Sequence, residues 1–216
     1  MQTLIEHITN AGLGDRVVTE AQLSRLLDGT PQRRYNLVNR ALHRGDLLRL
    51  RRGRYLLSSA VKQGKVHPFV LAQALQPGSY ISFETALSFH GWIPESTPIT
   101  MSVTPDRRRQ TLDIPKFGHF LYYPLALNTG WFLENVDRDT FAGQSCLIAQ
   151  PLRALLDIFC LRKLDFPGLR SLTEGMRIDE YELATIGIDD LERLRPVYQH
   201  KRMDTCISAL QRELIQ

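Results

Sequence analysis

The strongest constraint on the fold is a pair of helix signals that lie only a few residues apart. Thr19 and Gln22 match a capping box, in which the threonine hydroxyl accepts from the amide three residues on and the glutamine side chain reaches back. We expect that helix to end at Asp28-Gly29. Thr30-Pro31 then opens a second helix, because threonine caps a helix and proline suits its first turn. So tight a connection between two helices is typical of a helix-turn-helix.

The second of these helices, residues 32–44, has two different faces on a helical wheel. One face is apolar and is expected to be buried: Tyr35, Leu37, Val38, Ala41 and Leu42. The other face carries long or amide-bearing donors: Gln32, Arg33, Asn36, Asn39, Arg40 and His43. Arginine can pair with guanine through two hydrogen bonds, and asparagine or glutamine with adenine. The polar face, together with Thr30 and Arg34, therefore predicts contact with double-stranded DNA; a merely solvated face is the alternative.

A basic hairpin is expected after this helix. Residues 47–57 predict two short strands about a turn at Arg52-Gly53, with four arginines close to it: Arg49, Arg51, Arg52 and Arg54. Such a hairpin can lay its charge along the phosphate backbone or in a minor groove, and an edge hairpin protected by charge is the alternative. Since a short helix is also expected from Thr3 to Asn10, residues 1–60 predict a winged helix-turn-helix DNA-binding domain. Residues 61–65 are then a linker, and residues 66–216 form a second domain.

Charge is divided unevenly along the chain. Residues 1–65 carry twelve Lys/Arg against five acidic residues, a net charge of +7, whereas residues 66–216 carry fifteen against eighteen, a net charge of −3. A basic segment joined to a weakly acidic one favours a polyanion-binding module, and a solvated basic face is again the alternative.

Cysteine usage and hydropathy exclude several classes of protein. Cys146, Cys160 and Cys206 are scattered through apolar runs, so we expect reduced core residues rather than disulfides or a metal site. The first residues lack a basic start followed by a long apolar run, and no segment has the roughly eighteen apolar residues of a membrane span. We therefore expect a cytoplasmic protein that is not attached to a membrane, and no motif indicates a cofactor.

The second domain is expected to be mixed α/β with a mostly antiparallel sheet, so the chain as a whole is predicted to be α+β. Strands are indicated at residues 99–103, 111–114, 117–123 and 145–149, and helices near residues 68–75, 83–90, 151–159, 188–195 and 203–214. His90 is interpreted as a buried, hydrogen-bonded histidine near a helix end. Arg107, Arg108 and Arg109 lie in a loop or hairpin tip, where a second basic patch and a solvated turn are both open.

Two segments of the second domain resemble a known family. Tyr80–Pro94, with the sequence YISFETALSFHGWIP, and Ala149–Asp157, with the sequence AQPLRALLD, are similar to the core of the AbiEi-type antitoxins of bacterial abortive-infection systems. These proteins place a winged helix-turn-helix before such a domain, so the resemblance covers about residues 1–165. Residues beyond that match no family motif.

The resemblance implies a repressor that regulates its own operon by binding inverted repeats in the promoter. It also implies an antitoxin of a type IV toxin-antitoxin system, which counters a nucleotidyltransferase-type toxin without forming a stable complex with it. No family motif assigns antitoxin contacts to particular residues of this chain.

A metal-dependent nuclease is the rival interpretation, because such a domain can follow a similar winged helix. Its centre needs an acid, then an acid and a lysine separated by one residue. Asp106, Asp113 and Lys116 approach this pattern, but two residues separate Asp113 from Lys116, which on a strand points them to opposite faces. A regulator whose second domain senses a ligand or only dimerises is the third possibility. We expect no enzymatic activity.

Overall fold

The structure, a computed structural model, describes residues 3–95 and 98–214. The chain divides into two compact units. Unit 1 comprises Met1–Pro77 together with Thr140–Ser145, and unit 2 comprises Gly78–Asp139 together with Cys146–Gln216. Helices and two β-sheets make up these units, which confirms the mixed α+β class.

Unit 1 contains five helices and three short strands within residues 4–75. In chain order they are α1 (Leu4–Asn10), β1 (Val18–Thr19), α2 (Glu20–Leu26), α3 (Pro31–His43), β2 (Leu47–Arg51), β3 (Arg54–Leu57), α4 (Ser58–Lys62) and α5 (Pro68–Leu75). The strands form an antiparallel sheet in the order β1-β3-β2. Helix α4 occupies the start of the segment that the sequence analysis treats as a linker.

The local signals place the helices of unit 1 where the sequence predicts them. The Thr19 amide donates to Gln22 Oε1 at 2.8 Å while the Gln22 amide donates to Thr19 Oγ1 at 3.2 Å, which confirms the capping box. Thr30 Oγ1 accepts from the Arg33 amide at 3.3 Å, ahead of Pro31 in the first turn of α3. A cap of this kind contributes about 1 kcal/mol to the stability of a helix.

The core of unit 1 joins α1, α2 and α3 to the sheet. Its buried members are Leu4, Ile8, Val18, Leu23, Leu27, Val38, Ala41, Leu47, Tyr55 and Leu57. Val38 and Ala41 come from α3, as the wheel predicts, but the expected burial of Tyr35 is wrong: its side chain is 62% exposed. The buried stripe of α3 is thus narrower than its apolar sequence indicates.

Unit 2 is built around a six-stranded sheet, whose outer hairpin turn, Thr140–Ser145, is counted with unit 1. Its elements are β4 (Tyr80–Ile81), α6 (Phe83–Phe89), β5 (Ile99–Val103), β6 (Gln110–Ile114), β7 (Gly118–Tyr123), β8 (Val136–Phe141), β9 (Gln144–Ala149), α7 (Pro151–Arg162), a π-helical turn (Ser171–Gly175), α8 (Glu180–Ala184), α9 (Ile188–Leu194), a 3-10 turn (Arg195–Val197) and α10 (Lys201–Leu214).

The sheet of unit 2 is mixed. Its strand order is β6-β7-β5-β4-β9-β8, in which β4 pairs with β9 and β5 with β7 in parallel, whereas β4 with β5 and β6 with β7 are antiparallel. Because the chain passes from β5 to β6 and only then returns as β7 between them, β5 and β7 run in the same direction. The predicted strand positions are confirmed, and the sheet contains parallel as well as antiparallel pairs.

Helix α7 forms the interior of unit 2. Every residue from Leu152 to Cys160 is buried, including the charged Arg153 and Asp157. Among the residues that the structure describes, no helix has the length and apolar character needed to cross a lipid bilayer.

Candidate nucleic-acid interface

The polar face of α3 is open to solvent. Gln32, Arg33, Asn36, Arg40 and His43 are exposed, as is the capping Thr30, whereas Asn39 is half-buried. No acidic residue occurs between Gly29 and Gly45, so the charged side chains of α3 itself are all basic. Long donors on an exposed, cationic helix can reach both phosphates and base edges.

Two hydrogen bonds organise the middle of this face. Gln32 Nε2 donates to Asn36 Oδ1 at 3.2 Å, and Arg40 Nε donates to the Asn36 carbonyl at 3.4 Å. Residues four apart on a helix are neighbours, so these contacts follow directly from the spacing. The two bonds link the side chains of Gln32 and Arg40 to Asn36, so these side chains are not independent of one another.

Arg34, like Asn39, is half-buried. Its Nη1 donates to the Gly29 carbonyl at 3.3 Å, and its buried Nε has no hydrogen-bond partner among the described residues. The side chain therefore lies against the turn between α2 and α3. Its lower exposure gives less support to a DNA contact than that of Arg33.

The hairpin of β2 and β3 presents its arginines unequally. Arg49 and Arg52 are exposed, but Arg51 Nη1 donates to the Leu75 carbonyl at 2.9 Å, near the end of α5. Arg54 is partly buried, and this burial, followed by the nearby charge of Arg51, lowers the pKa of its guanidinium. The exposed cations of the hairpin are thus Arg49 and Arg52, a division that sequence spacing alone does not reveal.

The turn of the hairpin is fixed to the start of α2. The Glu20 amide donates to the Gly53 carbonyl at 2.9 Å, and the Tyr55 hydroxyl donates to Glu20 Oε2 at 3.5 Å. Gly53 has a φ of 70°, a left-handed conformation that glycine adopts without strain. Arg52 is therefore held at a defined position beside a well-anchored turn.

The second basic patch lies in unit 2, in the loop between β5 and β6. Arg107, Arg108 and Arg109 are exposed, and the Arg109 guanidinium lies 4.8 Å from the centre of the Tyr123 ring. A cation at this distance from an aromatic ring is attracted to its face. This contact orders one arginine of the three, and both interpretations of the patch remain predictions.

The residues of the nuclease interpretation do not converge. Asp106 precedes β6 and Lys116 follows it, so a five-residue strand, roughly 16 Å long, separates them. The Asp113 side chain is 73% exposed and lies 3.5 Å from His119 Nδ1 across the hairpin. Within residues 3–95 and 98–214, no group of three or more His, Cys, Asp or Glu side chains is placed to hold a metal ion.

His90 is the C-cap of α6 and is exposed, so the expectation that it is buried is wrong. Its Nε2 lies 3.0 Å from the Ala149 carbonyl, which confirms the expected hydrogen bond near a helix end. Ala149 belongs to the second of the two segments that carry the family resemblance, and His90 to the first.

Unit 2 also contains a buried polar network that sequence analysis did not find. Arg153 Nε donates to Asp157 Oδ1 at 3.0 Å, and both side chains are fully buried. Asp157 further accepts from the Tyr80 hydroxyl at 2.9 Å, the Ser82 hydroxyl at 2.7 Å and the Tyr198 hydroxyl at 2.8 Å. Ser82 is the N-cap residue of α6, but its hydroxyl donates to Asp157 and makes no hydrogen bond to the helix.

The Arg153 guanidinium is satisfied on its remaining sides. Its Nη1 donates to the Glu134 carbonyl at 2.7 Å and its Nη2 to the Tyr80 hydroxyl at 2.7 Å. Burial by itself lowers the pKa of Arg153, but the charge of Asp157, the interactions with Tyr198 and Tyr80, and the hydrogen bond to Asp157 together outweigh it and leave that pKa raised. Burial, and then the charge of Asp157, raises the pKa of Tyr80 and Tyr198 well above the usual value, so both hydroxyls remain donors. The network joins Tyr80–Pro94 to Ala149–Asp157 through buried hydrogen bonds.

The three cysteines are free and buried, as predicted. Burial is the main cause that raises the pKa of Cys146 to about 12 and those of Cys160 and Cys206 to about 11. Because the thiolate is the reactive form, these side chains are poor nucleophiles at neutral pH.

Comparison with known proteins adds no family assignment. No protein-family model matches the chain, and no curated protein matches it. The resemblance to AbiEi-type antitoxins therefore stays a prediction from the two quoted segments.

Proposed function

We propose that this protein binds double-stranded DNA through unit 1, with α3 in the major groove and the β2–β3 hairpin as a wing. The observation that carries the proposal is the exposed donor face of α3, which has no acidic residue between Gly29 and Gly45. The element order α1-β1-α2-α3-β2-β3 and the sheet order β1-β3-β2 support it, since they match the plan of a winged helix-turn-helix.

Within this proposal the exposed residues divide into two roles. Gln32, Arg33, Asn36, Arg40 and His43 provide the donors that would meet base edges and adjacent phosphates. Arg49 and Arg52 would contact the phosphate backbone, where they add affinity without sequence preference. Arg34 and Arg51, which bond to backbone carbonyls, would support the geometry of the interface.

We further propose that the DNA-binding activity represses the protein's own operon, and that the protein acts as an antitoxin against a nucleotidyltransferase-type toxin. The support for this part is the resemblance of Tyr80–Pro94 and Ala149–Asp157 to AbiEi-type antitoxins. Inverted repeats in the promoter and the absence of a stable toxin complex are expectations from the same resemblance.

DNA binding is tested with the full chain and a pool of random-sequence duplexes, from which bound DNA is recovered and sequenced. The recovered duplex then serves as a probe for fluorescence anisotropy with Arg33→Ala and Arg40→Ala, each expected to cost about 1–3 kcal/mol of binding free energy if it contacts a base. Arg170→Ala is the matched control, because Arg170 is an exposed arginine of unit 2 that pairs with Glu174. Failure to enrich any duplex, or equal affinity in all variants, would remove the α3 assignment.

The antitoxin part needs a separate experiment in cells. Co-expression of this chain is expected to restore the growth of cells that produce the nucleotidyltransferase-type toxin encoded beside it. Arg49→Ala with Arg52→Ala should weaken repression but preserve rescue, since the resemblance places antitoxin action in the second domain. Loss of rescue in proportion to loss of DNA binding would instead tie protection to repression.

A further inference from the structure

Two amide side chains lie at the centre of the exposed face of α3 and are bonded to each other. Gln32 Nε2 donates to Asn36 Oδ1 at 3.2 Å, and both residues are exposed. They lie on the side of the helix away from Val38 and Ala41, the residues that α3 buries in unit 1. Any ligand that approaches this face meets the two amides together.

The hydrogen bond between Gln32 and Asn36 determines which of their donors and acceptors can still bind a ligand. A primary amide has one carbonyl oxygen, which accepts, and one NH₂ group with two donors. After the mutual bond, the Gln32 Oε1 carbonyl and the Asn36 Nδ2 amino group are wholly uncommitted, and one hydrogen of Gln32 Nε2 and one lone pair of Asn36 Oδ1 also remain. If the two amides exchanged roles, the uncommitted groups would again be one carbonyl and one amino group, so the pair presents acceptors as well as donors, and a base edge with acceptors alone leaves its free carbonyl unsatisfied.

Adenine is the base whose major-groove edge complements this set. It presents N7 as an acceptor and its 6-amino group as a donor, whereas guanine presents two acceptors, N7 and O6. Cytosine presents a donor, and thymine an acceptor beside a methyl group. We propose that Gln32 and Asn36 act as one unit that recognises an adenine, an inference that rests on the DNA-binding function proposed above.

The shared bond also supplies preorganisation. A free glutamine or asparagine loses rotamer freedom when it contacts a base, and this loss of side-chain entropy weakens binding. Here the two side chains already restrain each other before DNA arrives. The alternative is a pair that only stabilises the exposed helix, as such pairs do in isolated peptides.

The first test changes the DNA. The full chain selects duplexes from a random-sequence pool, and each adenine of the selected site is replaced in turn by 7-deazaadenine, which lacks the N7 acceptor, or by purine, which lacks the 6-amino group. At one adenine, both replacements are expected to weaken binding about five-fold or more, because each leaves one polar group of the pair unsatisfied. A site at which neither replacement matters anywhere would overturn the inference.

The second test changes the protein. Gln32→Ala and Asn36→Ala are each expected to remove most of the preference for that adenine, and the double variant should add little, because two residues that act as a unit are not additive. Gln63→Ala is the matched control, since Gln63 is an exposed amide of unit 1 outside α3. Its adenine preference should equal that of the unchanged protein.

The outcomes separate the two proposals. Sequence-specific binding with independent, additive losses in the single variants, or with a preference for guanine at the affected position, would refute the coupled pair while leaving DNA binding intact. Absence of any duplex binding at low salt would refute both.

Discussion

Removal of the Asp157 carboxylate is expected to be among the most damaging single changes in unit 2. Asp157 pairs with Arg153 at 3.0 Å while both side chains are 0% exposed. It also accepts from the hydroxyls of Tyr80, Ser82 and Tyr198. Asp157→Ala would leave a buried cation without its counter-charge and three buried hydroxyls without their acceptor.

The magnitude follows from the ion pair. Breaking a buried pair by removing one partner costs about 3–5 kcal/mol, because the remaining charge stays buried and uncompensated. An unsatisfied buried hydroxyl adds about 1–3 kcal/mol, although the Tyr80, Ser82 and Tyr198 losses overlap with that of the pair. Since single domains are stable by about 5–15 kcal/mol, we expect a loss of about 4 kcal/mol or more to leave unit 2 marginally stable.

Urea denaturation followed by tryptophan fluorescence measures this loss. Trp92 and Trp131 are the two tryptophans of the chain, and both belong to unit 2, so the signal reports on the unit that contains Asp157. With an m-value of about 2 kcal/mol/M, a loss of about 4 kcal/mol lowers the unfolding midpoint by roughly 2 M. Asp165→Ala, at an exposed aspartate of the same unit, is the control and should stay within about 0.5 kcal/mol.

A paired replacement shows whether the uncompensated charge is responsible. Arg153→Met combined with Asp157→Leu removes both charges, so the double variant should be more stable than Asp157→Ala alone. A midpoint for Asp157→Ala within about 0.5 M of the unchanged protein would refute the reasoning. The reasoning would also be refuted if the stability lost in the double variant equalled the sum of the losses in the two single variants.

Two further predictions concern the hairpin and the thiols. Arg49→Ala and Arg52→Ala should each flatten the dependence of DNA affinity on salt by about one unit of log–log slope. Arg51→Ala removes the bond to the Leu75 carbonyl and should instead lower the free energy of unfolding by about 1–3 kcal/mol. Equal salt slopes in all three variants would contradict this division of roles. Because the pKa values of Cys146, Cys160 and Cys206 are raised to about 11–12, the native thiols should resist Ellman's reagent at pH 8 and react after unfolding. As the pH rises, the thiols of the unfolded chain ionise before those of the folded protein. The stability that comes from the raised thiol pKa values is therefore complete below pH 9 and is lost as the pH rises to about 12. Rapid labelling of the folded protein by Ellman's reagent would contradict the assignment of these thiols as buried and protonated.

Signals that act over three or four residues were predicted well. The capping box of Thr19 and Gln22 and the Thr30-Pro31 start of α3 were found from sequence, because a cap is satisfied by amides in its own first turn. The turn at Arg52-Gly53 was found for the same reason, since the left-handed φ of Gly53 is a local requirement.

Errors arose where the outcome depends on distant residues. Tyr35 shares the apolar side of α3 on a wheel, but the width of the buried stripe is set by the elements that pack against it, and these leave Tyr35 exposed. The parallel pairing of β5 with β7 likewise depends on where the chain returns after β6. Among the candidate contacts, only tertiary structure distinguishes Arg51, which is bonded to Leu75, from the exposed Arg52.

The helices α1, α2 and α3, the β2–β3 hairpin and the donors on α3 could be predicted from the sequence, because they follow from hydrogen bonds and side-chain periodicity within a few residues, whereas β1 and α4 were not predicted. Tertiary structure decided which of those donors are free, how the sheet of unit 2 pairs, and that Arg153 and Asp157 form a buried network instead of a surface pair four residues apart on a helix. The physical reason is that burial is a property of the surroundings: Tyr80 and Tyr198, which enclose the pair, lie far from α7 in sequence and are brought to it only by folding.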